Sequence, residues 1–181
     1  GRTIGRRVTL RALWLRTGSI AIMKGTMKTH DTIGEPDQTS TGIDFSRAIW
    51  LNEPQVSQVT KDAVSITTDP HTDLWQRSYY GFRNDNAHAL VLERRDNFTL
   101  EARVSFEYRD RFDQCGLVIY EDSENWFKAS IEHETEGPAR LGSVVTNAGY
   151  SDWATTDIGG VASIRYRLSR RIRRISVRQD R

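Results

Sequence analysis

The clearest signal in the chain is strict alternation. Between Asn97 and Tyr108, the residues Phe98, Leu100, Ala102, Val104, Phe106 and Tyr108 fall on one side. Asn97, Thr99, Glu101, Arg103, Ser105 and Glu107 fall on the other. A period of two over a dozen residues predicts a long strand with one buried face, because helical geometry would scatter those apolar residues around its surface. The same reading predicts strands at Asp62–Thr68, with Val64 and Ile66 inward, and at Ala87–Arg94, which groups His88 with Leu90 and Leu92. Gln114–Tyr120 is almost continuously apolar and reads as a central strand. Trp126–Glu134 alternates sharply, and Leu141–Thr146 and Val161–Leu168 complete the set. Gly137-Pro138 and the run from Asp122 to Asn125 supply turns. Many short strands, few helix signals and no repeats predict an all-β sandwich of two antiparallel sheets.

Upstream the pattern fades. Thr29–Ser46 is polar, with Gly34, Pro36 and Gly42, and reads as a linker, so ordered structure is expected to begin near Ala48. Val8–Met23 has the outline of a signal peptide, but Arg11 and Arg16 interrupt it and no clean small-residue cleavage site follows. Residues 1–47 are therefore expected to form a basic, polar arm, with 1–22 foreign to the domain and the natural start at Met23 or Met27.

Charge sharpens this division. The net formal charge of +2 conceals two basic ends, +5 over residues 1–35 and +7 over residues 165–181, around a body of −10. An acidic body repels nucleic acid, so no nucleic-acid partner is expected. No stretch reaches the roughly 20 apolar residues of a membrane-spanning helix, so no membrane partner is expected either. The one cysteine, Cys115, lies in an apolar strand pattern and reads as a buried thiol; with no internal disulfide to form, the expected compartment is the cytoplasm.

The alternation also sorts the candidate chemistry. In Trp126–Glu132, Phe127, Ala129 and Ile131 point to the core, and Trp126, Lys128, Ser130 and Glu132 point away from it. One sheet thus displays an aromatic, a cation, a hydroxyl and a carboxylate in a row. That mix suits a sugar, whose apolar face stacks on aromatics and whose hydroxyls bond to carboxylates. A plain solvated face with a Lys–Glu pair has the same pattern. Gln114 shares a face with Gly116, Val118 and Tyr120, either orienting a polar ligand or satisfied in the core. Asp113, Asp85 and Asn86 read as turn residues, and His88 as a core histidine. Ser151 and Asp152 lack the strand–turn–helix setting of a serine nucleophile. Four histidines in no ligand spacing predict no metal site, and without a Gly-rich phosphate loop or a CxxC pair no cofactor is predicted.

Six short motifs recur in a fixed order: Trp50 to Pro54, Asp73 to Trp75, Asp85 to His88, Asp113 to Leu117, Trp126 to Glu132, and Ser143 to Trp153. Together they resemble the DUF1349 family of concanavalin A-like jelly-roll proteins, over roughly Ala48 to Leu168. The resemblance implies a jelly roll whose concave sheet carries the ligand groove. It points to a non-catalytic domain binding a carbohydrate or similar polar ligand. Trp126 would stack, Lys128 and Glu132 would hydrogen-bond, and Gln114, Asn147, Asp152 and Trp153 would complete the site. Two alternatives remain. Glycosidases of this fold class carry an E-x-D-x-E strand, and Glu132, Glu134 and Glu136 resemble it, implying a laminarinase-like hydrolase using Glu132 with Glu134 or another acid. The enolase-regulation label of some family members implies a regulatory protein-interaction module. Residues 169–181 depart from the family pattern: arginines replace the expected Asp-Gly turn and tryptophan. The sheet edge left uncovered there predicts self-association.

Overall fold

The computed structural model describes residues 6–16, 20–23, 43–79, 81–93, 98–171 and 174–180. They form fifteen strands and one short 3-10 turn at Phe45–Arg47. The strands are β1 (Arg6–Arg16), β2 (Ile20–Met23), β3 (Ile49–Leu51), β4 (Val56–Val59), β5 (Ala63–Thr68), β6 (Leu74–Gln76), β7 (Arg83–Asp85) and β8 (Ala89–Leu92). They continue with β9 (Phe98–Ser105), β10 (Gln114–Asp122), β11 (Asn125–Glu132), β12 (Ala139–Asn147), β13 (Tyr150–Ile158), β14 (Ser163–Arg171) and β15 (Arg174–Asp180). A six-stranded sheet runs in the order β15-β14-β9-β1-β5-β4, and a seven-stranded sheet in the order β13-β12-β11-β10-β2-β8-β3. The pairings in both are antiparallel, and the two sheets form the expected jelly-roll sandwich.

The period-two pattern locates the core. Leu100, Ala102 and Val104 of β9, with Ile164, Tyr166 and Leu168 of β14, face Cys115 and Leu117 of β10 and Ala129 and Ile131 of β11. Leu100, Ala102, Val104, Ile131, Tyr166 and Leu168 have no exposed surface. Two tyrosines tie the sheets across this apolar layer: Tyr166 donates to the Cys115 carbonyl (3.3 Å) and Tyr108 to the Ile131 carbonyl (2.8 Å). Burial raises both phenols well above the ordinary range, so they act as fixed donors.

The ends of the chain differ from expectation. Instead of an arm outside the domain, β1 lies between β9 and β5 and pairs with both, and β2 lies between β10 and β8. The sheets therefore ignore a boundary at Ala48. The physical reason is ladder satisfaction: the facing edges of β9 and β5 carry backbone donors and acceptors that β1 pairs. Val8, Leu10 and Ala12 alternate with Thr9 and Arg11, a strand pattern masked by its arginines. Thr29–Ser46, expected as a linker, lies mostly outside the described residues. At the other end, β15 pairs along β14 and forms an edge of the six-stranded sheet, with Val177 packed against the core. β3, carrying Trp50, is an edge strand of the other sheet and ends before Pro54, which has no backbone donor to extend the ladder.

Candidate functional site

The outer face of the seven-stranded sheet is assembled by register. β10 and β11 place Gln114 opposite Glu132, Gly116 opposite Ser130 and Val118 opposite Lys128. β11 and β12 place Glu132 opposite Arg140, Ser130 opposite Gly142 and Lys128 opposite Val144. β12 and β13 place Val144 opposite Trp153. Each row has the same parity, so these side chains project from one face.

Part of that face is covered by the β6–β7 hairpin. Leu74 is fully buried with Ala87, Ala89, Val118, Trp126 and Val144 in a second apolar cluster. Polar ties hold the hairpin down. The Gln76 amide donates to Ser151 Oγ (2.8 Å), and its side chain donates to the Ser123 carbonyl (3.2 Å). The Arg77 guanidinium donates to the Gly149 carbonyl (2.7 Å) and to Glu124 (2.6 Å). Lys128 Nζ donates to the Leu74 carbonyl (2.7 Å). Arg77 itself adopts a positive φ of 56°, a conformation that these bonds hold in place.

Beside the hairpin lies a pocket of about 70 Å³. Its floor is one connected network. Gln114 Nε2 donates to both Asp73 Oδ1 (3.2 Å) and Glu132 Oε2 (3.3 Å), while Gln114 Oε1 accepts from Ser130 (3.1 Å). Lys128 Nζ meets Asp73 Oδ1 at 3.3 Å and lies 5.8 Å from the Trp126 ring centre. Two carboxylates thus rest on a single amide nitrogen, and the buried lysine neutralises one of them. The other, Glu132, is pushed up from 4.5 to about 7: burial dominates, Asp73 and Glu134 add to it, and Lys128 and Arg111 oppose it. Phe82, Phe112 and Trp153 form a partly exposed aromatic rim with Trp75. Trp153 approaches the floor closely because residue 142 is glycine; a Cβ there would lie 2.7 Å from the indole nitrogen.

Of the residues expected from sequence, Gln114, Lys128, Glu132 and Trp153 meet in this pocket. Trp126 points to the same face but lies beneath the hairpin with 4% of its surface exposed, so it supports the floor and offers no stacking face. Asn147 and Asp152 do not join the site. Asp152 is paired with Val145 and Asn147 with Tyr150, one step out of phase with Trp153, so the pleat turns them to the opposite face. Glu134 lies beyond β11 and is held by Arg111 at 2.8 Å; the carboxylate that shares Gln114 with Glu132 is Asp73. Ser151 is a buried strut bonded to Gln76 and Thr146 (2.7 Å). His88 is a buried structural residue, bonded to the Asn52 carbonyl (2.6 Å) and accepting from the Asp69 amide (3.1 Å). Among the described residues no three His, Cys, Asp or Glu side chains group as a metal site.

Sequence reasoning missed Asp73, Arg140, Phe82 and Phe112 as site residues. Asp73 sat in a quoted motif, but no local pattern connects it to a strand 55 residues away. Arg140 was within reach: pairing outward from the Gly137-Pro138 turn sets it opposite Glu132.

The match to known proteins covers this site. A family model described as a protein of unknown function, DUF1349, matches residues 50–181. The chain belongs to the DUF1349 family. The matched stretch runs from β3 through β15, so it holds every pocket residue and extends past the expected boundary at Leu168. A relative in Saccharomyces cerevisiae, Regulation of enolase protein 1, is 37% identical over 144 residues, covering 78% of this chain and 72% of that one. The crystal structure of a functionally unknown protein from the same yeast superposes with a TM-score of 0.69 at 37% identity, over 76% of this chain and 75% of that one. Among the described residues, no helix is long and apolar enough to cross a membrane.

Proposed function

We propose that this DUF1349 chain is a non-catalytic binding domain that holds one ring of a carbohydrate, or a similar polar ligand, in the outer-face pocket. The observation that carries this reading is the pairing of a hydrogen-bonded polar floor (Gln114, Ser130 and Glu132) with an aromatic rim (Phe112 and Trp153). Aromatic faces match the apolar face of a sugar ring, and fixed amide and carboxyl groups match its hydroxyls. The small volume fits a single ring end better than a long groove would. The test is a thermal-shift screen against mono- and oligosaccharides. A ligand specific for the folded state raises the midpoint, and Trp153→Ala removes the shift. No shift across the panel sinks the reading.

A hydrolase is the second reading, favoured by one observation. Glu132, titrating near 7, shares Gln114 with Asp73, which Lys128 neutralises. Two carboxyls in unlike environments suit an acid and its partner. Release of reducing ends that disappears with Glu132→Gln would establish it. We place the protein in the cytoplasm, a reading supported by its one cysteine, which is buried and forms no disulfide. Self-association is expected through the exposed ladder of β15, and sedimentation across a concentration series reads it.

A further inference from the structure

We propose that the pocket takes a carboxylate in the gap between Glu132 and Arg140, so that the sugar it holds is an acidic one. The inference rests on the binding reading above and narrows it to a ligand class.

Glu132 and Arg140 are register partners on adjacent strands and project from the same face, a placement that ordinarily gives a cross-strand ion pair. They do not form one. Arg140 turns the other way, with Nη1 3.1 Å from Asp157 Oδ1 on β13. Its Nε is buried and has no hydrogen-bond partner among the described residues, although Arg140 lines the pocket. A buried N–H without an acceptor is costly, and an oxygen from a ligand seated in the pocket removes that cost.

Glu132, beside it on β11, complements it. Gln114 holds Glu132 through Oε2, and the Gln114 amide is itself fixed by Ser130, so the carboxyl is oriented, and among the described residues no hydrogen bond engages Oε1. Around Glu132 stand Asp73, Lys128, Glu134, Arg111 and Arg140. Lys128 is engaged by Asp73 and the Leu74 carbonyl, and Arg111 by Glu134. Burial then favours the neutral acid, which donates a proton. Glu132 thus offers an O–H and its register partner Arg140 an N–H of a cation, from neighbouring strands of one face. Two such adjacent donors match the two oxygens of one carboxylate, whereas a single hydroxyl oxygen engages them poorly.

The experiment is calorimetric titration of the full chain with glucuronate, galacturonate, glucose, galactose and propionate, at about pH 6 and pH 8.5. The parent, Glu132→Gln and Arg140→Gln are compared, with melting midpoints as a folding control. Uronates are expected to bind at least roughly tenfold tighter than the neutral sugars at the lower pH. Uronate affinity in the parent then falls roughly 30-fold toward pH 8.5, as Glu132 ionises and repels the ligand. Glu132→Gln keeps its low-pH affinity at both values, because its amide donates without titrating. Arg140→Gln loses uronate binding at both; if it fails to fold, the pH profile of Glu132→Gln decides alone.

The outcomes separate the two proposals. Neutral sugars binding as tightly as uronates overturn the carboxylate slot and leave the carbohydrate reading standing. Propionate binding as tightly as uronates supports the slot and overturns the sugar. No binding by any of the five overturns both, and a Glu132→Gln profile that follows the parent's pH dependence overturns the slot.

Discussion

The two faces of the seven-stranded sheet are built from the same strands and behave as different materials. On the inner face, Cys115, Leu117, Ala129 and Ile131 meet another sheet across an apolar layer. On the outer face, one residue out of phase, Val118, Trp126 and Val144 pack in a smaller cluster under a two-stranded hairpin, and Gln114, Lys128, Ser130 and Glu132 form a polar network beside it. The inner face is closed by sequence-distant strands that pair along their length. The outer face is closed by a short hairpin pinned at a few points. The difference teaches that stability and binding are separable here: one face holds the domain together, and the other shapes a site.

The largest expected effect tests that separation. Leu117→Ala, at a position 1% exposed between the sheets, should lower global stability by about 3 kcal/mol, read by urea unfolding. Leu74→Ala removes an equally buried side chain from the outer cluster. It should instead act locally, speeding amide exchange in β6 and β7 before the β9 and β14 amides respond. If both substitutions melt the chain as one unit, the two faces are not separable.

Next is Glu132→Gln. The parent carboxyl titrates near 7 when folded against an ordinary 4.5, so the stability it contributes is fully present below about pH 4.5 and is lost as pH rises through 7. The glutamine is indifferent to pH. Relative to the parent, the variant should therefore gain on the order of 2–3 kcal/mol between pH 4 and pH 8. Denaturant midpoints at the two pH values read this, and a constant difference would mean that folding does not shift the Glu132 carboxyl from its ordinary value.

The smallest effect is on the pins. Arg77→Ala removes the bonds to the Gly149 carbonyl and to Glu124, whose carboxylate is half exposed. The expected loss is about 1 kcal/mol, because solvent screens the ion pair and the carbonyl bond carries most of the contribution. The informative readout is ligand affinity: it should weaken as the hairpin loosens, although Arg77 does not line the pocket.

How far the sequence reached follows the same division. β9 was legible because its apolar residues alternate without a break, and β11 for the same reason. β1 was not, because arginines at alternate positions imitate a solvated arm, and only the edges it pairs between β9 and β5 explain it. β6 and β7 were missed because three residues are too few to show a period.

By itself, the sequence determined the class of fold and which side chains leave the core on β10 and β11, since a pleat admits only two faces and the apolar residues choose one. Only the tertiary structure decided what those outward residues do. Trp126 became floor because the hairpin lies over it; Asn147 and Asp152 left the site because the pleat of β12 and β13 turns them to the other face; Asp73 entered it because Gln114 and Lys128 reach across to a distant loop. The physical reason is range. Alternation is a local property of a strand, whereas the identity of the group that covers or faces it depends on contacts far apart in the chain.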